Sequence, residues 1–212
     1  MIVEEAWALP WALVERPAAD IEGCREAHAQ LATAIDRVSD SVARLPTLLP
    51  EWSVGHVMTH LARNAEAMVR RVEAATRGEV IDQYVGGVEG RALEIEAGAG
   101  RPALELIADV LFWSQQLDGT FDLLPDDCWG RPVRSMRGAE HPVSHLPRHR
   151  WWEVEVHLVD LGIGFGPADW PTAFVDLALP RLITGLADRA DHRSLMAWLL
   201  GRGSPPTLGP WT

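Results

Sequence analysis

The chain of 212 residues contains no lysine, because all 19 of its basic residues are arginines. A protein without lysine cannot form a Schiff base with a carbonyl substrate and cannot supply the lysine of a phosphate-binding P-loop. Cysteine is also scarce. Cys24 and Cys128 are the only two, and their spacing matches neither a metal site nor a CxxC redox motif. We therefore expect structural or incidental roles for both.

Long apolar runs are absent as well. No segment approaches the roughly 20 apolar residues that a membrane-spanning helix needs. Near the N-terminus, Glu4 and Glu5 stand where a secretory leader would carry positive charge. The net charge of −11 disfavours a nucleic-acid partner. These features predict a cytoplasmic protein whose partners include neither a membrane nor a nucleic acid.

The most informative segment that is present spans residues 150–162 (RWWEVEVHLVDLG). As a strand it would alternate, with Glu153, Glu155 and His157 on one face. As a helix, at about 100° per residue, it would have two apolar faces separated by two polar seams. One seam would hold Glu155, and the other would hold Glu153, His157 and Asp160.

The flanking residues favour the helix. Ser144 is a good N-cap, Pro147 falls in the first turn where a missing N–H is tolerated, and Gly162 is a natural end. Basic residues at 148–150 oppose it, since positive charge is unfavourable near a helix N-terminus. We predict a helix over about 145–161. A carboxylate and an imidazole in a seam between two buried faces need a strong partner, and a metal ion suits both.

Apolar spacing predicts three further long helices before this one, and the second of them has capping signals at both ends, Ser53 and Gly78. Together the four helices predict a mainly α protein built as a four-helix bundle, followed by a short C-terminal helical appendage. The predicted helices of the bundle and the appendage cover residues 18–43, 53–77, 89–118 with an interruption at 98–100, 145–161, about 170–189 and 192–200.

Two histidines on the earlier helices bear on the site. His28 lies near the apolar positions of the first helix, which favours a packed or half-exposed histidine over a ligand. His60 falls at the edge of the apolar stripe of the second helix, and its position alone favours a surface or cleft-edge role. With Glu153 and His157, however, His60 would bring two imidazoles and one carboxylate into a cleft of the bundle. Such a set leaves one position open for water or substrate, as catalytic zinc sites do.

A loop-rich segment before the fourth helix carries Arg131, Arg134 and Arg137, which alternate with apolar residues in a short extended run. For these arginines, a solvated basic edge is favoured over a binding site. Anion binding is the alternative.

Three runs of residues, in this order along the chain, carry a resemblance: 49–64 (LPEWSVGHVMTHLARN), 150–161 (RWWEVEVHLVDL) and 169–175 (DWPTAFV). They resemble motifs of the mycothiol-dependent maleylpyruvate isomerase family of DinB-like bundles, and the resemblance covers nearly the whole chain. It implies a DinB-like metal-binding four-helix bundle over 1–165 and a short C-terminal extension over 166–212, an abbreviated form of the family's C-terminal domain.

The same resemblance implies which residues would act. The family's metal ligands fall on His60, Glu153 and His157, and the implied cofactors are a divalent metal, zinc being expected, and the low-molecular-weight thiol mycothiol. The run 197–203 (AWLLGRG) resembles the family's closing motif, which makes Arg202 the candidate catalytic contact to a substrate carboxylate. The shortened segment before it, around 187–193, departs from the family pattern.

The implied partners are therefore a small-molecule substrate and a thiol, and the implied reaction is cis-trans isomerisation. A thiolate can add to a carbon conjugated with a carbonyl, allow rotation, and leave, and a bound divalent metal can stabilise that thiolate. Guanidinium groups would hold the carboxylates. Two alternatives stay open: a mycothiol S-transferase or thiol-exchange enzyme in detoxification or natural-product biosynthesis, and a non-catalytic bundle that only binds a metal.

Overall fold

The computed structural model describes residues 14–209, and the N-terminal residues used for the leader prediction lie outside this range. The chain forms two compact units, which meet in sequence between Asp169 and Trp170.

The first unit is mainly helical, and it also contains one small β-hairpin and several short 3-10 turns. Its regular elements are α1 (Ala18–Ile35), α2 (Asp40–Ala43), α3 (Val54–Thr76), α4 (Gly87–Ala99), α5 (Ala103–Leu123), β1 (Pro132–Arg134), β2 (Glu140–Pro142) and α6 (Leu146–Asp160).

Four long helices, α1, α3, α5 and α6, form the bundle. Helix α1 packs on α6 and α5, while α3 packs on α5 and α6, so that each helix buries an apolar face against two others. The approach of α1 to α6 is close at Gly23, because a Cβ atom there would stand 2.4 Å from the Trp151 ring. The predicted four-helix bundle is confirmed, and its mainly α fold is that of DinB-like bundles.

The first helix is shorter than predicted. Instead of one helix over 18–43, α1 ends at Ile35, and a turn leads to the four-residue α2. The Ser39 side chain accepts a hydrogen bond from the Val42 backbone N–H and so caps a new helix start. Val38 is nevertheless buried, as continuous helical spacing would require. The apolar spacing therefore continues across the turn between α1 and α2, and for this reason it predicted one helix instead of two.

The second predicted helix is confirmed with its caps. Ser53 is the N-cap of α3, and its side chain accepts from the His56 N–H while the His56 side chain accepts from the Ser53 N–H. At the other end, Gly78 has φ +75°, a conformation that favours glycine.

The predicted interruption is present but lies two residues later than the predicted 98–100, since α4 continues to Ala99 and α5 begins at Ala103. The end of α4 lies against the first turn of α3. A Cβ atom on Gly55 would stand 2.3 Å from the Ala99 carbonyl oxygen. Arg44 holds the same turn by donating to the carbonyls of Ala99, Gly100 and Arg101.

Strands β1 and β2 pair antiparallel in the segment that the sequence predicted to be loop-rich, with Val133 opposite His141. Arg131 is paired with Asp127 at 2.9 Å, and Arg134 is paired with Asp82 and Glu140 at 3.1 and 3.3 Å. These arginines already have carboxylate partners, which fits a solvated basic edge better than an anion site.

The second unit contains three helices within its described residues: α7 (Thr172–Thr184), α8 (Leu186–Arg189) and α9 (His192–Leu199). The Asp191 side chain caps α9 by accepting from the Ser194 N–H. No described helix of either unit is both long enough and apolar enough to cross a membrane.

Candidate metal centre

Helix α6 supplies two of the three predicted ligands, and the strand alternative for this segment is wrong. The predicted N-cap is also wrong. Ser144 lies in a 3-10 turn, and His145 stands at the N-cap position without a side-chain capping bond. Pro147 is in the first turn of α6, as predicted, where its missing N–H costs nothing.

The structure brings His60 of α3 together with Glu153 and His157 of α6. His60 Nε2 lies 3.0 Å from Glu153 Oε2, and His157 Nε2 lies 3.7 Å from the same oxygen. The two imidazole rings meet edge to face at 4.8 Å between centroids. One ligand atom from each residue lies within 4.8 Å of the others, so the three side chains form a group that could hold one metal ion.

His60 is more deeply placed than its position on the helical wheel predicts, since its side chain is only 4% exposed. The Trp52 ring, at the turn before α3, meets the His60 ring at 5.7 Å between centroids. Arg91 of α4 donates to His60 Nδ1 at 3.1 Å. Both contacts come from neighbouring elements, and neither can be read from the periodicity of α3.

The electrostatics of the group suit metal ligation. Burial lowers the pKa of His60 to about 4, although the hydrogen bond and charge of Glu153 oppose the shift. Desolvation by itself would raise the pKa of Glu153, but the hydrogen bond from His60 and the charges of His60, His157 and Arg150 outweigh it and lower the pKa to about 2. At neutral pH the group therefore holds a neutral His60 and an ionised Glu153, the charge states in which these side chains bind a metal. His60 Nε2 donates to Glu153 while Nδ1 accepts from Arg91, so a metal bound at Nε2 would replace the hydrogen bond to Glu153 and move the ring proton to Nδ1.

Asp160 orients the His157 ring through a hydrogen bond. Its Oδ2 accepts a hydrogen bond from His157 Nδ1 at 2.8 Å, which leaves Nε2 of that ring turned toward Glu153. A carboxylate on the outer nitrogen is the usual second partner of a metal-binding histidine. The sequence placed Asp160 in the seam without giving it a role, although its spacing of three residues from His157 was available as a signal.

Glu155 lies on another side of α6 and takes no part in the group. It is buried, and Trp151 Nε1 donates to its Oε1 at 3.3 Å. Burial raises the pKa of Glu155 to about 7. The separation of Glu153 from Glu155 is the one that a helix requires, since residues two apart point about 200° from each other.

A second group with the composition of a metal site joins Cys24 and His28 of α1 to Asp118 of α5. Both nitrogens of His28 are already engaged, because Nδ1 donates to Asp118 at 2.9 Å and Nε2 accepts from Arg150 Nε at 3.0 Å. Burial raises the pKa of the Cys24 thiol, which keeps it protonated. The group therefore reads as a buried hydrogen-bond network, in agreement with the structural roles predicted for Cys24 and His28.

Arg150 is the centre of that network and was missed as a key residue. It is fully buried on α6. Its guanidinium also donates to the Leu61 carbonyl, to Asn64 Oδ1 and to Ser114 Oγ, at 2.8, 3.0 and 3.4 Å. These bonds tie α6 to α1, α3 and α5, and so fix the helix that carries Glu153. The sequence indicated only that the charge of Arg150 is unfavourable near the N-terminus of α6, and it did not predict that Arg150 links the four helices.

Arg202 lies in the second unit. It follows the end of α9, where its guanidinium donates to the Leu200 carbonyl and its backbone N–H to the Ala197 carbonyl. The side chain is exposed. Its role in binding a substrate carboxylate stays a prediction.

The helical bundle defines the chain as a DinB-like protein, and its two-histidine, one-carboxylate group has the composition of a metal site. The family model described as "Mycothiol maleylpyruvate isomerase N-terminal domain" matches residues 24–162, which is more than half of the chain and includes all three members of the group. The chain belongs to this family.

Two solved structures are similar. A crystal structure of the mycothiol-dependent maleylpyruvate isomerase is 25% identical, with a TM-score of 0.71 over 76% of this chain and 66% of that one. A histidine-to-alanine mutant of that isomerase is 23% identical, with a TM-score of 0.75 over 82% of this chain and 73% of that one, and shows the fold alone. The chain thus spans slightly less than two thirds of the first structure. No curated protein matches the chain.

Proposed function

We propose that the chain is a metal-dependent, mycothiol-using enzyme of the maleylpyruvate isomerase type, acting by cis-trans isomerisation. One observation carries the proposal: in a member of this family, His60, Glu153 and His157 present their ligand atoms within 4.8 Å of one another. The donor set fits a divalent metal, and zinc in particular, because it offers two imidazoles and one carboxylate and leaves a position open.

A divalent metal at this group would supply a positive charge that lowers the pKa of a bound thiol. The side chains of the protein would do the rest. Asp160 holds His157 in the tautomer that presents Nε2 to the centre. Arg150 fixes the turn of α6 below Glu153. The Trp52 ring shields His60 from water on one side.

The test is turnover of maleylpyruvate by the purified protein with and without mycothiol. We expect isomerisation that needs mycothiol, that glutathione at the same concentration does not support equally, and that a chelator abolishes and added zinc restores. Failure to turn over maleylpyruvate with mycothiol and zinc present would contradict the proposal. Formation of a stable thioether from an electrophile in the same assay would instead support the transferase alternative, which uses the same group.

A further inference from the structure

A row of imidazoles leads away from the metal group along α6. His149 and Glu153 lie one turn apart on one face of α6, and His145 stands four residues before His149, at the N-cap position of the helix. His141 of β2 adjoins them. Its ring lies 5.6 Å from the His145 ring and 5.2 Å from the His149 ring, centroid to centroid, and the last two rings are 6.3 Å apart. Three histidines, from β2, from the turn before α6 and from α6 itself, therefore meet near the start of α6, and one of them, His149, lies one turn from Glu153.

Arg71 of α3 places a buried positive charge beside this row. The residue is only 2% exposed, and its two hydrogen bonds go to backbone carbonyls, those of Ala67 and Arg134. Within residues 14–209 no carboxylate lies at ion-pair distance from Arg71, whereas Arg63 on the same helix is paired with both Glu66 and Asp109. Burial lowers the pKa of Arg71 to about 10, which leaves it charged at neutral pH. The charge of Glu153 stabilises the guanidinium only from a distance, and a buried guanidinium without a paired carboxylate is costly.

The imidazoles stand in the field of this guanidinium. Burial lowers the pKa of His141, and the charge of Arg71 lowers it further. His141 Nδ1 donates to the Pro142 carbonyl, and its Nε2 is buried with no hydrogen-bond partner among the described residues. The cluster of Arg71, His141, His145 and His149 thus gathers polar nitrogens around a positive charge.

A second metal ion does not suit this cluster. The three histidines do not present converging ligand atoms, since only the two groups already described do so within the part of the chain that the structure covers. The guanidinium would also repel a cation. An anion is favoured on the same grounds, because Arg71 lacks a carboxylate partner. A bound anion would also stabilise the protonated form of a neighbouring imidazole, and in that form Nε2 of His141 becomes a donor beside the Nδ1 that already donates to Pro142.

We propose that Arg71, His141, His145 and His149 form a subsite for the carboxylate of a small dicarboxylate whose reacting carbon lies at His60, Glu153 and His157. This proposal rests on the function proposed above and names where such a substrate would be held. Side chains one helical turn apart have Cβ atoms about 5–6 Å from each other. The spacing of His149 and Glu153 therefore suits a short dicarboxylate. The guanidinium lies in the first unit, so this contact does not depend on Arg202.

The test measures binding without turnover. The full-length protein, purified with its metal, is titrated calorimetrically with maleate and with its monomethyl ester, which lacks one negative charge. We expect the wild-type protein to prefer maleate by about tenfold or more, the order expected for a charge-assisted hydrogen bond. Arg71→Gln and His149→Ala should each remove that preference while leaving the ester's affinity unchanged. Arg63→Gln, the matched control on α3, should keep the preference.

Several outcomes would overturn the subsite. Equal affinity of the wild-type protein for the two ligands is one, and an unchanged preference in both variants is another. Inorganic phosphate that competes as well as maleate would show a general anion site instead. If Arg71→Gln does not fold, His149→Ala decides alone. A preference lost only in Arg71→Gln together with a lower Tm would mean that Arg71 merely ties the hairpin to α3.

Failure of this subsite can be told apart from failure of the proposed function. The protein could turn over maleylpyruvate with mycothiol and yet bind maleate no more tightly than the monomethyl ester. In that case only the subsite would be wrong. Loss of turnover in the wild-type protein alongside a clear maleate preference would refute the function and leave the subsite standing.

Discussion

Replacing Glu153 and Glu155 by glutamine, one at a time, gives opposite results if α6 is placed as described. The two residues are chemically alike and only two positions apart. Glu153 contacts His60 and His157 at the candidate centre, whereas Glu155 lies on another side of α6 against Trp151. Each substitution keeps the shape of the side chain and removes its negative charge. Comparing the two variants therefore separates the loss of a metal ligand from a general effect on α6.

For Glu153→Gln we expect metal affinity to fall by at least about 100-fold. Loss of an outer partner of a ligand typically costs about 10- to 100-fold, and Glu153 is proposed as a direct ligand that also supplies the negative charge. The carboxylate is ionised at neutral pH because its pKa is about 2. A neutral amide therefore removes a full charge from the site, and thiol-dependent turnover should be lost with the metal.

For Glu155→Gln we expect normal metal content and a change in the pH dependence of stability. Burial raises the pKa of Glu155 from 4.5 to about 7, so the fold favours the protonated form. The resulting stability is fully present below about pH 4.5 and is lost as the pH rises through about 7. Above pH 7 the variant should be more stable than the wild type, by on the order of 1–3 kcal/mol at about 1.4 kcal/mol per unit of pKa.

The assay is metal stoichiometry after dialysis, with urea denaturation of the apo proteins at pH 5 and pH 8. The stability difference between Glu155→Gln and the wild type should appear at pH 8 and shrink at pH 5. Equal metal loss in the two variants would refute the placement of the two side chains on different sides of α6. A stability difference that is the same at both pH values would refute the buried state of Glu155.

Three further results are expected. Asp160→Asn should lower metal affinity by about 10- to 100-fold without changing the urea midpoint of the apo protein, because Asp160 only orients His157; unchanged affinity would contradict that role. Arg150→Lys should lower the free energy of unfolding by about 3 kcal/mol or more, since a lysine cannot serve the partners that the buried guanidinium reaches on three helices. A variant as stable as the wild type would show that the network is dispensable. Arg202→Lys should lose turnover and keep its metal if the planar guanidinium binds a substrate carboxylate, whereas full turnover would mean that Arg202 only meets the C-terminal end of α9.

The sequence predicted those features that are encoded locally. Capping at Ser53 and Gly78 marks the two ends of α3, and the seam of α6 separates Glu153 from Glu155. Period and caps depend on neighbours within a few residues, so a single chain reveals them. The resemblance then assigned His60, which its place on the helical wheel did not favour.

The remaining features depend on contacts between elements that are distant in sequence. His60 is buried by Trp52 and Arg91, which come from the turn before α3 and from α4. The break after Ile35 is hidden because Val38 still points inward. Arg150 looks like an unfavourable charge at a helix start until its acceptors on α1, α3 and α5 are in place. No local pattern carries this information.

The central claim is that one divalent metal is held by His60, Glu153 and His157, and metal stoichiometry tests it most directly. Elemental analysis of the purified protein should find about one divalent ion per chain, with zinc as the expected metal. The ion should be lost in the His60→Ala/His157→Ala double variant and kept in Cys24→Ala, which alters only the second cluster. Full metal occupancy in the double variant, or loss of the metal in Cys24→Ala alone, would contradict the account.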